Sequence, residues 1–341
     1  MSIPPIAIHL PLETKHGMRS VLKNFWHLIK ESAEEFADDH ASKLSASLAY
    51  YTLFSIGPLL LVLITILGFF VTKVNVTEEV FNQVASVIGT KATLELQTMI
   101  SNMSVQRNTK WFGIVGALVF IFGATGIFAE IQSSLNYIWS IKAKPRRGWL
   151  KYFRDRLLSF VLVLVLGLLF MVSVFVNVVI DVLSNHLQRF LGSADVVLLK
   201  MANFGLFFII VTTVFTVIFK VLPDAKIHLK DAIVGAIFTA VLFILGKFLI
   251  SYYLGISRSL NIYGAATSLI LILTWVYYSS MILYFGAEFT EVYAKMWGRG
   301  ITVNKNSVHV IRHETTDILH LKHQSQRKKK EESPDGEQKN S

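Results

Sequence analysis

The sequence predicts an all-α membrane protein with six transmembrane helices and both chain ends on the cytoplasmic side. Two observations support this fold class. First, the chain contains six long apolar stretches, each near or above the roughly 20 residues that a helix needs to cross a bilayer. Second, the Lys and Arg content of the connections alternates between rich and poor. Backbone polar groups in hydrocarbon must be bonded within their own segment, so unbroken apolar stretches predict helices rather than strands. The predicted spans run at about 44–72, 111–131, 157–180, 201–219, 232–257 and 261–287.

The charge distribution predicts the orientation of these spans. The N-terminal segment, the second and fourth connections and the C-terminal segment hold 25 of the 33 Lys and Arg residues, whereas the other connections hold 7. Cytoplasmic loops are enriched in Lys and Arg, so both termini are expected inside. The net charge of +10 is therefore explained by the basic residues of the cytoplasmic connections and does not indicate a nucleic-acid site. The chain divides into cytoplasmic residues 1–43, a six-helix domain at 44–296 and a basic cytoplasmic tail at 297–341, predicted to be disordered towards its end.

The N-terminal segment is predicted to contain an amphipathic helix at 20–41. Its polar residues fall mainly on another face, and Trp26 suits the level of the lipid headgroups. This helix could lie along the membrane surface or pack against its own bundle, and the sequence favours neither. The residues that share its apolar face are Val21, Phe25, Leu28, Ile29, Ala33 and Phe36.

The first span and the connection after it contain the next informative features. Pro58 lies inside the span, where a proline removes a helical hydrogen bond and kinks the chain. Such a kink can serve helix packing, or it can open a cavity beside a transport path. Tyr50 and Tyr51 are further candidates for lining that path. The connection at 73–110 is long and holds two apolar patterns, which predict two short amphipathic helices on the external side.

Charged and polar residues within or beside the spans are the first candidates for function. Lys247 lies well inside the fifth span, where a central lysine costs about 3 kcal/mol or more unless it is paired or hydrated. Snorkelling to the outer interface is the alternative. Glu130 lies at the cytoplasmic end of the second span, Asn136 follows that span, and Glu288 lies at the inner end of the sixth. These three can be read as transport-path residues or as ordinary residues of helix ends.

A basic segment at 142–156 lies directly before the third span on the predicted inner side. Cations interleaved with aromatic residues suit an anionic membrane surface, at about 1 kcal/mol per cation. Membrane lipids with anionic headgroups are therefore the expected partners, nucleic acid is not expected, and a homo-oligomer stays open. The candidate lipid contacts are Lys142, Lys144, Arg146, Arg147, Lys151, Arg154 and Arg156.

The sequence contains no signature of an enzyme. It has no cysteine, no zinc-protease motif, no nucleophile elbow and no phosphate-binding loop. His309 and His313 are four residues apart, but they lie in the tail and lack a third ligand nearby. We therefore expect no catalytic residues, no metal and no cofactor.

Four runs along the chain resemble the YihY/BrkB family of bacterial inner-membrane proteins. The runs are LSASLAYYTLFSIGPLLL at 44–61, ATGIFAEIQSSLNYIW at 124–139, VLPDAKIHLKDAIVGA at 221–236 and YGAATSLILILTWVYYSSMILYFGAEFTEVYA at 263–294. The resemblance covers roughly 20–296, leaves the basic tail outside, and implies a multi-pass protein of the bacterial inner membrane with six spans and both ends cytoplasmic. Members were long labelled ribonuclease BN, but clustered metal ligands for such chemistry are missing from this sequence.

What the resemblance implies for function is transport. Some members are associated with export of envelope material, so the leading hypothesis is a translocase for a lipid or another envelope amphiphile that works without ATP hydrolysis. The alternative is a non-transporting membrane scaffold or assembly partner for envelope machinery.

Overall fold

The structure is a computed structural model that describes residues 18–70, 76–88, 90–104, 126–143, 193–256, 266–303 and 307–310. Within these ranges it is a helical bundle with two small sheets. The helices are α1 (Met18–Asp38), α2 (Ala41–Phe70), α3 (Val76–Ile88), α4 (Thr90–Ser104), α5 (126–138), α6 (Ser193–Val221), α7 (Leu229–Ile256) and α8 (Ala266–Met296). The strands are β1 (Ile141–Ala143), β2 (Ala225–Lys226), β3 (Thr302–Val303) and β4 (Ser307–His309).

Four of the described helices are long and apolar enough to cross a membrane. The segments that qualify are Ala41–Leu61, Phe204–Val221, Leu229–Ile250 and Leu269–Met296. They correspond to the first, fourth, fifth and sixth predicted spans. The third predicted span and most of the second lie outside the described residues.

Helix α8 is the central element of the bundle, because it packs against α7, α2, α1 and α4. The largest core cluster joins α2, α5, α6, α7 and α8. Among its fully buried members are Leu135, Trp139, Phe219 and Tyr284. The outer face of α7 is instead apolar and exposed over several turns, as in Val241, Leu245 and Phe248, which is typical of a helix that contacts hydrocarbon.

Helices α7 and α8 run antiparallel and approach closely. A Cβ on Gly235 would overlap Thr290, and a Cβ on Gly246 would lie 2.6 Å from the Ile282 side chain. Residue numbers therefore rise along α7 as they fall along α8, as expected for antiparallel helices. Small residues at such contacts let two backbones approach each other in a membrane. Stacking of Phe238 on Phe289, with ring centroids 3.7 Å apart, extends the contact.

Two two-stranded antiparallel sheets lie together at one end of the bundle. β1 pairs with β4, and β2 pairs with β3. The chain that leaves α8 therefore crosses the segments that follow α5 and α6, so the C-terminal ends of these three helices share one end, which we call the sheet end. The sequence reasoning assigned residues 302–309 to the tail and did not anticipate these strands.

Helix α1 packs at the sheet end. Leu28 is buried against Phe289 and Val292 of α8, whereas Phe25 and Trp26 are exposed. Ala33 of the predicted apolar face is exposed, and the face in contact with the bundle instead includes the buried Ser32. A left-handed residue, His40 with φ 52°, joins α1 to α2.

The two short helices predicted for the first long connection are present as α3 and α4. They pack on each other and, through Val80, Phe81 and Leu96, on Leu60 and Ile272. Leu60 lies nearly two-thirds of the way along α2, and Ile272 lies in the second turn of α8, far from the sheet end. The hairpin therefore covers the opposite end of the bundle.

Candidate functional site

A cluster of polar side chains lies inside the bundle between α2, α5 and α8. The Ser47 hydroxyl donates a hydrogen bond of 2.6 Å to the Glu130 carboxylate. Glu130 and Ser134 are one turn apart on α5 and so share a face. The Tyr284 hydroxyl of α8 lies close to Ser134 and within electrostatic reach of Glu130. We call these four residues the interior polar cluster.

Two hydroxyls of this cluster are buried without a satisfied hydrogen bond. Neither Ser134 Oγ nor the Tyr284 hydroxyl meets hydrogen-bond geometry with another described residue, although the two face each other. Ser134 is 2% exposed and Tyr284 is 0% exposed. Leaving a buried hydroxyl unbonded costs about 1–3 kcal/mol. Water or a polar ligand would remove that cost.

One turn beyond Tyr284, Glu288 presents the most unusual group in the described part of the chain. Its side chain is 0% exposed, and neither carboxylate oxygen has a hydrogen-bond partner among the described residues. Buried carboxylates in proteins are normally paired or hydrogen-bonded. Glu288 is therefore a residue whose placement calls for a ligand or a proton.

Further charges surround Glu288 at the sheet end. Glu291 is buried and pairs with Lys295 at 3.0 Å. The carboxylates of Glu35 on α1 and of Asp39, which directly follows α1, also act on Glu288 electrostatically. The docking of α1 on α8 through Leu28 and Phe289 brings these acids together. We call Glu288, Glu291, Lys295, Glu35 and Asp39 the acidic site.

A second polar contact holds the end of α5 in place. Asn136 donates to the Asp224 carboxylate at 3.1 Å, and the Asp224 backbone N–H donates to the Asn136 side-chain oxygen at 2.8 Å. The Trp139 indole donates to the Ala287 carbonyl at 3.2 Å. These bonds fix α5 against both α8 and the turn before β2, and so position Glu130 and Ser134.

Of the residues predicted from sequence, Glu130 belongs to the interior polar cluster, Glu288 lies one turn of α8 beyond Tyr284, and Asn136 forms the supporting contact. Lys247 is elsewhere. Its Nζ lies 5.1 Å from the centroid of the Phe207 ring of α6, on a half-buried part of α7. Because α7 and α8 are antiparallel, Lys247 lies beside the level of Tyr278, more than two turns of α8 from Glu288.

The aromatic candidates on α2 face outward. Tyr50 and Tyr51 are exposed, and Tyr50 packs edge-to-face on Phe54 with ring centroids 5.0 Å apart. Pro58 is buried inside α2. Among the candidate lipid contacts, Lys142 lies exposed on β1 at the sheet end. The others lie outside the described residues.

The sequence reasoning did not identify Ser47, Ser134, Tyr284, Glu291 or Lys295 as members of a site. One signal could have indicated two of them, Ser134 and Tyr284. Glu130 and Ser134, and likewise Tyr284 and Glu288, are polar residues four positions apart in otherwise apolar helices, which puts each pair on one face. The partner of each face depends on tertiary packing, which spacing does not reveal.

Comparisons with known proteins identify relatives of known name. The family described as "Virulence factor BrkB" matches residues 32–309, so the match begins later than the 20–296 expected from the motifs and ends later, taking in β3 and β4. A UPF0761 membrane protein of Pseudomonas aeruginosa (strain LESB58) is 30% identical over 75% of this chain and 60% of its own length. A UPF0761 membrane protein of Haemophilus influenzae (strain 86-028NP) is 28% identical over 78% of this chain and 94% of its own length.

Coverage of these relatives is uneven. The chain spans about three-fifths of the length of the Pseudomonas relatives that it matches. No solved structure matches the chain.

Proposed function

The chain belongs to the BrkB family of membrane proteins, and we propose that it moves a lipid or another amphiphile of the cell envelope across the bacterial inner membrane without hydrolysing ATP. The observation that supports this function is the interior polar cluster. It holds two buried hydroxyls that face each other without meeting hydrogen-bond geometry, near a carboxylate and inside a bundle with an apolar exterior. A polar headgroup that crosses hydrocarbon needs hydrogen-bond partners on its way.

In the proposed mechanism, the headgroup passes the interior polar cluster while the acyl chains stay in the surrounding lipid. Glu130 and Ser134 of α5 and Tyr284 of α8 offer acceptors and donors to the headgroup. The exposed rings of Tyr50 and Phe54 on the neighbouring α2 offer apolar surface to the acyl chains.

We further propose that the sheet end faces the cytoplasm. The Lys and Arg counts favour this orientation. Exposed Lys142 then lies at the inner leaflet, where it and the other cations of residues 142–156 would gather anionic headgroups. Lys247 would meet an anionic headgroup nearer the outer leaflet.

Reconstituted protein tests the proposal directly. Purified protein in liposomes that contain a fluorescent phospholipid or lipid A precursor should make inner-leaflet probe accessible to an external quencher faster than protein-free liposomes. An unrelated six-span protein, reconstituted at the same density, controls for leakage. If the probe moves no faster with this protein than with the control, the proposal that this protein transports these amphiphiles is wrong.

A scaffold without transport activity is the second candidate, and exposed aromatic side chains support it. Phe25 and Trp26 of α1 and Tyr51 of α2 are exposed on the bundle surface. A partner recovered by cross-linking that is lost in a Phe25→Ser/Trp26→Ser variant, with transport absent, would favour this function. Deleting α3 and α4 would be a poor test, because both helices contribute to a core cluster with Leu60 and Ile272.

A further inference from the structure

Glu288 lies where an ionised carboxylate is least well stabilised. It is 0% exposed, and both of its oxygens lack hydrogen-bond donors among the described residues. The nearest cation along its own helix, Lys295, is paired with Glu291 at 3.0 Å. Removing a charge from water without a partner is costly, and the cost disappears when the group is neutralised.

The groups that face Glu288 add to this cost. On α8 the charged neighbours are Glu291 and Lys295, and the others are Glu35 of α1 and Asp39, which directly follows α1. Helix α7 faces this stretch of α8 with the apolar Val234 and Phe238. Trp139, which directly follows α5, also lies beside this stretch, and its indole N–H donates to the Ala287 carbonyl. Around Glu288 there are thus three carboxylates and one ammonium group, so the local charge is negative and favours binding of a positive species.

The positive species that fits is a proton. A metal ion would require several ligands around one point, and the described residues contain no group of three His, Cys, Asp or Glu side chains arranged to hold a metal. A proton needs one carboxylate oxygen. It also allows Glu288 to act as a donor, which would let it bond to water between α8 and α1.

We propose that Glu288 is a reversible proton-binding residue that couples a proton gradient to lipid movement, an inference that rests on the proposed function. Glu291 and Lys295 form the fixed pair beside it. Glu35 of α1 and Asp39, which directly follows α1, lie within electrostatic reach of Glu288 and provide acceptors from which a proton can reach it. Glu288 is one turn from Tyr284, so a change of charge on Glu288 acts directly on the interior polar cluster.

Two measurements on full-length protein test this proposal. In liposomes, the rate of lipid movement is compared with and without an imposed pH gradient. The ratio of these rates should exceed one in the native protein and fall to one in Glu288→Gln, which mimics the neutral acid. Glu34→Gln, an equivalent change on the exposed side of α1 where Glu34 pairs with Lys30 at 3.2 Å, should keep the native ratio.

The second measurement does not depend on transport. Infrared spectra at neutral pH should contain the C=O stretch of a protonated carboxylic acid that shifts in D2O, is missing from Glu288→Gln and persists in Glu34→Gln. Size-exclusion profiles establish that each variant is folded. Native and Glu288→Gln spectra that are identical in this region would overturn the proton-binding role.

The two experiments also separate the inference from the function on which it rests. Lipid movement with a ratio of one in the native protein would overturn coupling through Glu288 while transport stands. An infrared band assigned to Glu288 in a protein that moves no lipid would retain the proton-binding role and reject the proposed function.

Discussion

The side chain of Thr239 on α7 occupies the space that a Cβ on Gly286 of α8 would need. The relationship is reciprocal, because Thr290 of α8 occupies the space that a Cβ on Gly235 of α7 would need. Each threonine hydroxyl donates to the carbonyl of the glycine one turn earlier in its own helix, at 2.7 Å for Thr239 and 2.6 Å for Thr290. Both hydroxyls are thus satisfied within their helices, and the helices can pack as closely as glycine permits.

Replacing Gly286 with alanine should therefore destabilise the protein. The new Cβ would overlap Thr239, so α7 and α8 must move apart, and overpacking of this kind costs about 1–3 kcal/mol. Thermal unfolding of detergent-solubilised protein measures the loss. Gly205→Ala on α6 is the matched control, because a Cβ at that position meets nothing within 4 Å. Equal melting temperatures for the two variants would contradict the close approach.

Ser134 and Ser133 offer an adjacent pair that separates transport from stability. Ser134→Ala removes a buried hydroxyl that has no bonded partner among the described residues, so we expect little or no loss of stability but slower lipid movement. Ser133→Ala alters an exposed position and should change neither property. Thermal unfolding and the liposome assay are measured on both variants. A large loss of stability in Ser134→Ala would mean that its hydroxyl is bonded in the folded protein.

The contact between Asn136 and Asp224 predicts a difference between two substitutions. Asn136→Ala removes both hydrogen bonds and should cost about 1–3 kcal/mol, because Asp224 is buried. Asn136→Asp keeps an acceptor for the Asp224 N–H but sets one carboxylate against another, so it should be at least as destabilising. Thermal unfolding compares the two. A clearly milder effect of Asn136→Asp would show that charge repulsion is unimportant there.

Truncation tests the contribution of the two sheets. A chain that ends at residue 310 keeps β3 and β4, whereas a chain that ends at residue 300 loses both strands and the hydrogen bond of 2.8 Å from the Val310 N–H to the Ser140 carbonyl. The shorter chain should unfold at a lower temperature and be cut sooner by protease near residue 143. Indistinguishable behaviour of the two truncated chains would contradict a stabilising role for the strands.

Lys247 should affect the choice of lipid more than stability. Its contact with Phe207 is worth about 0.5–2 kcal/mol, which is no more than the cost of a lysine in hydrocarbon, so Lys247→Met should unfold at or above the native temperature. If Lys247 meets anionic headgroups, this variant should slow anionic probes more than zwitterionic probes, whereas Lys247→Arg should not. Equal slowing of both probes would remove Lys247 from headgroup selection.

Apolar length and charge spacing predicted the helices better than they predicted the site. The apolar runs around Pro58, Phe215, Ile244 and Ile272 were recognisable because a helix in hydrocarbon must be long and continuous. The paired apolar patterns of α3 and α4 were recognisable for a similar reason, since one face of each helix is buried.

The site depends on information that a one-dimensional pattern lacks. Lys247 stood out in the sequence because charge is rare within a span, yet it lies apart from the interior polar cluster. In the sequence Glu288 resembles an ordinary residue of a helix end, because its burial depends on the packing of α1 against α8. Likewise, β4 follows a polar stretch, and its strand conformation depends on β1, far away in the sequence, rather than on its own composition.

The pairing of β1 with β4 also bears on how the protein is made. Ser307 and Ala143 are partners across 164 residues of chain, so the contact cannot form until all of the described helices have been synthesised. Helices inserted earlier must wait for the last segment, and long-range contacts of this kind form late because they close large loops. During synthesis, the backbone of β1 would therefore remain without its hydrogen-bond partner, and open to proteases, until β4 arrives.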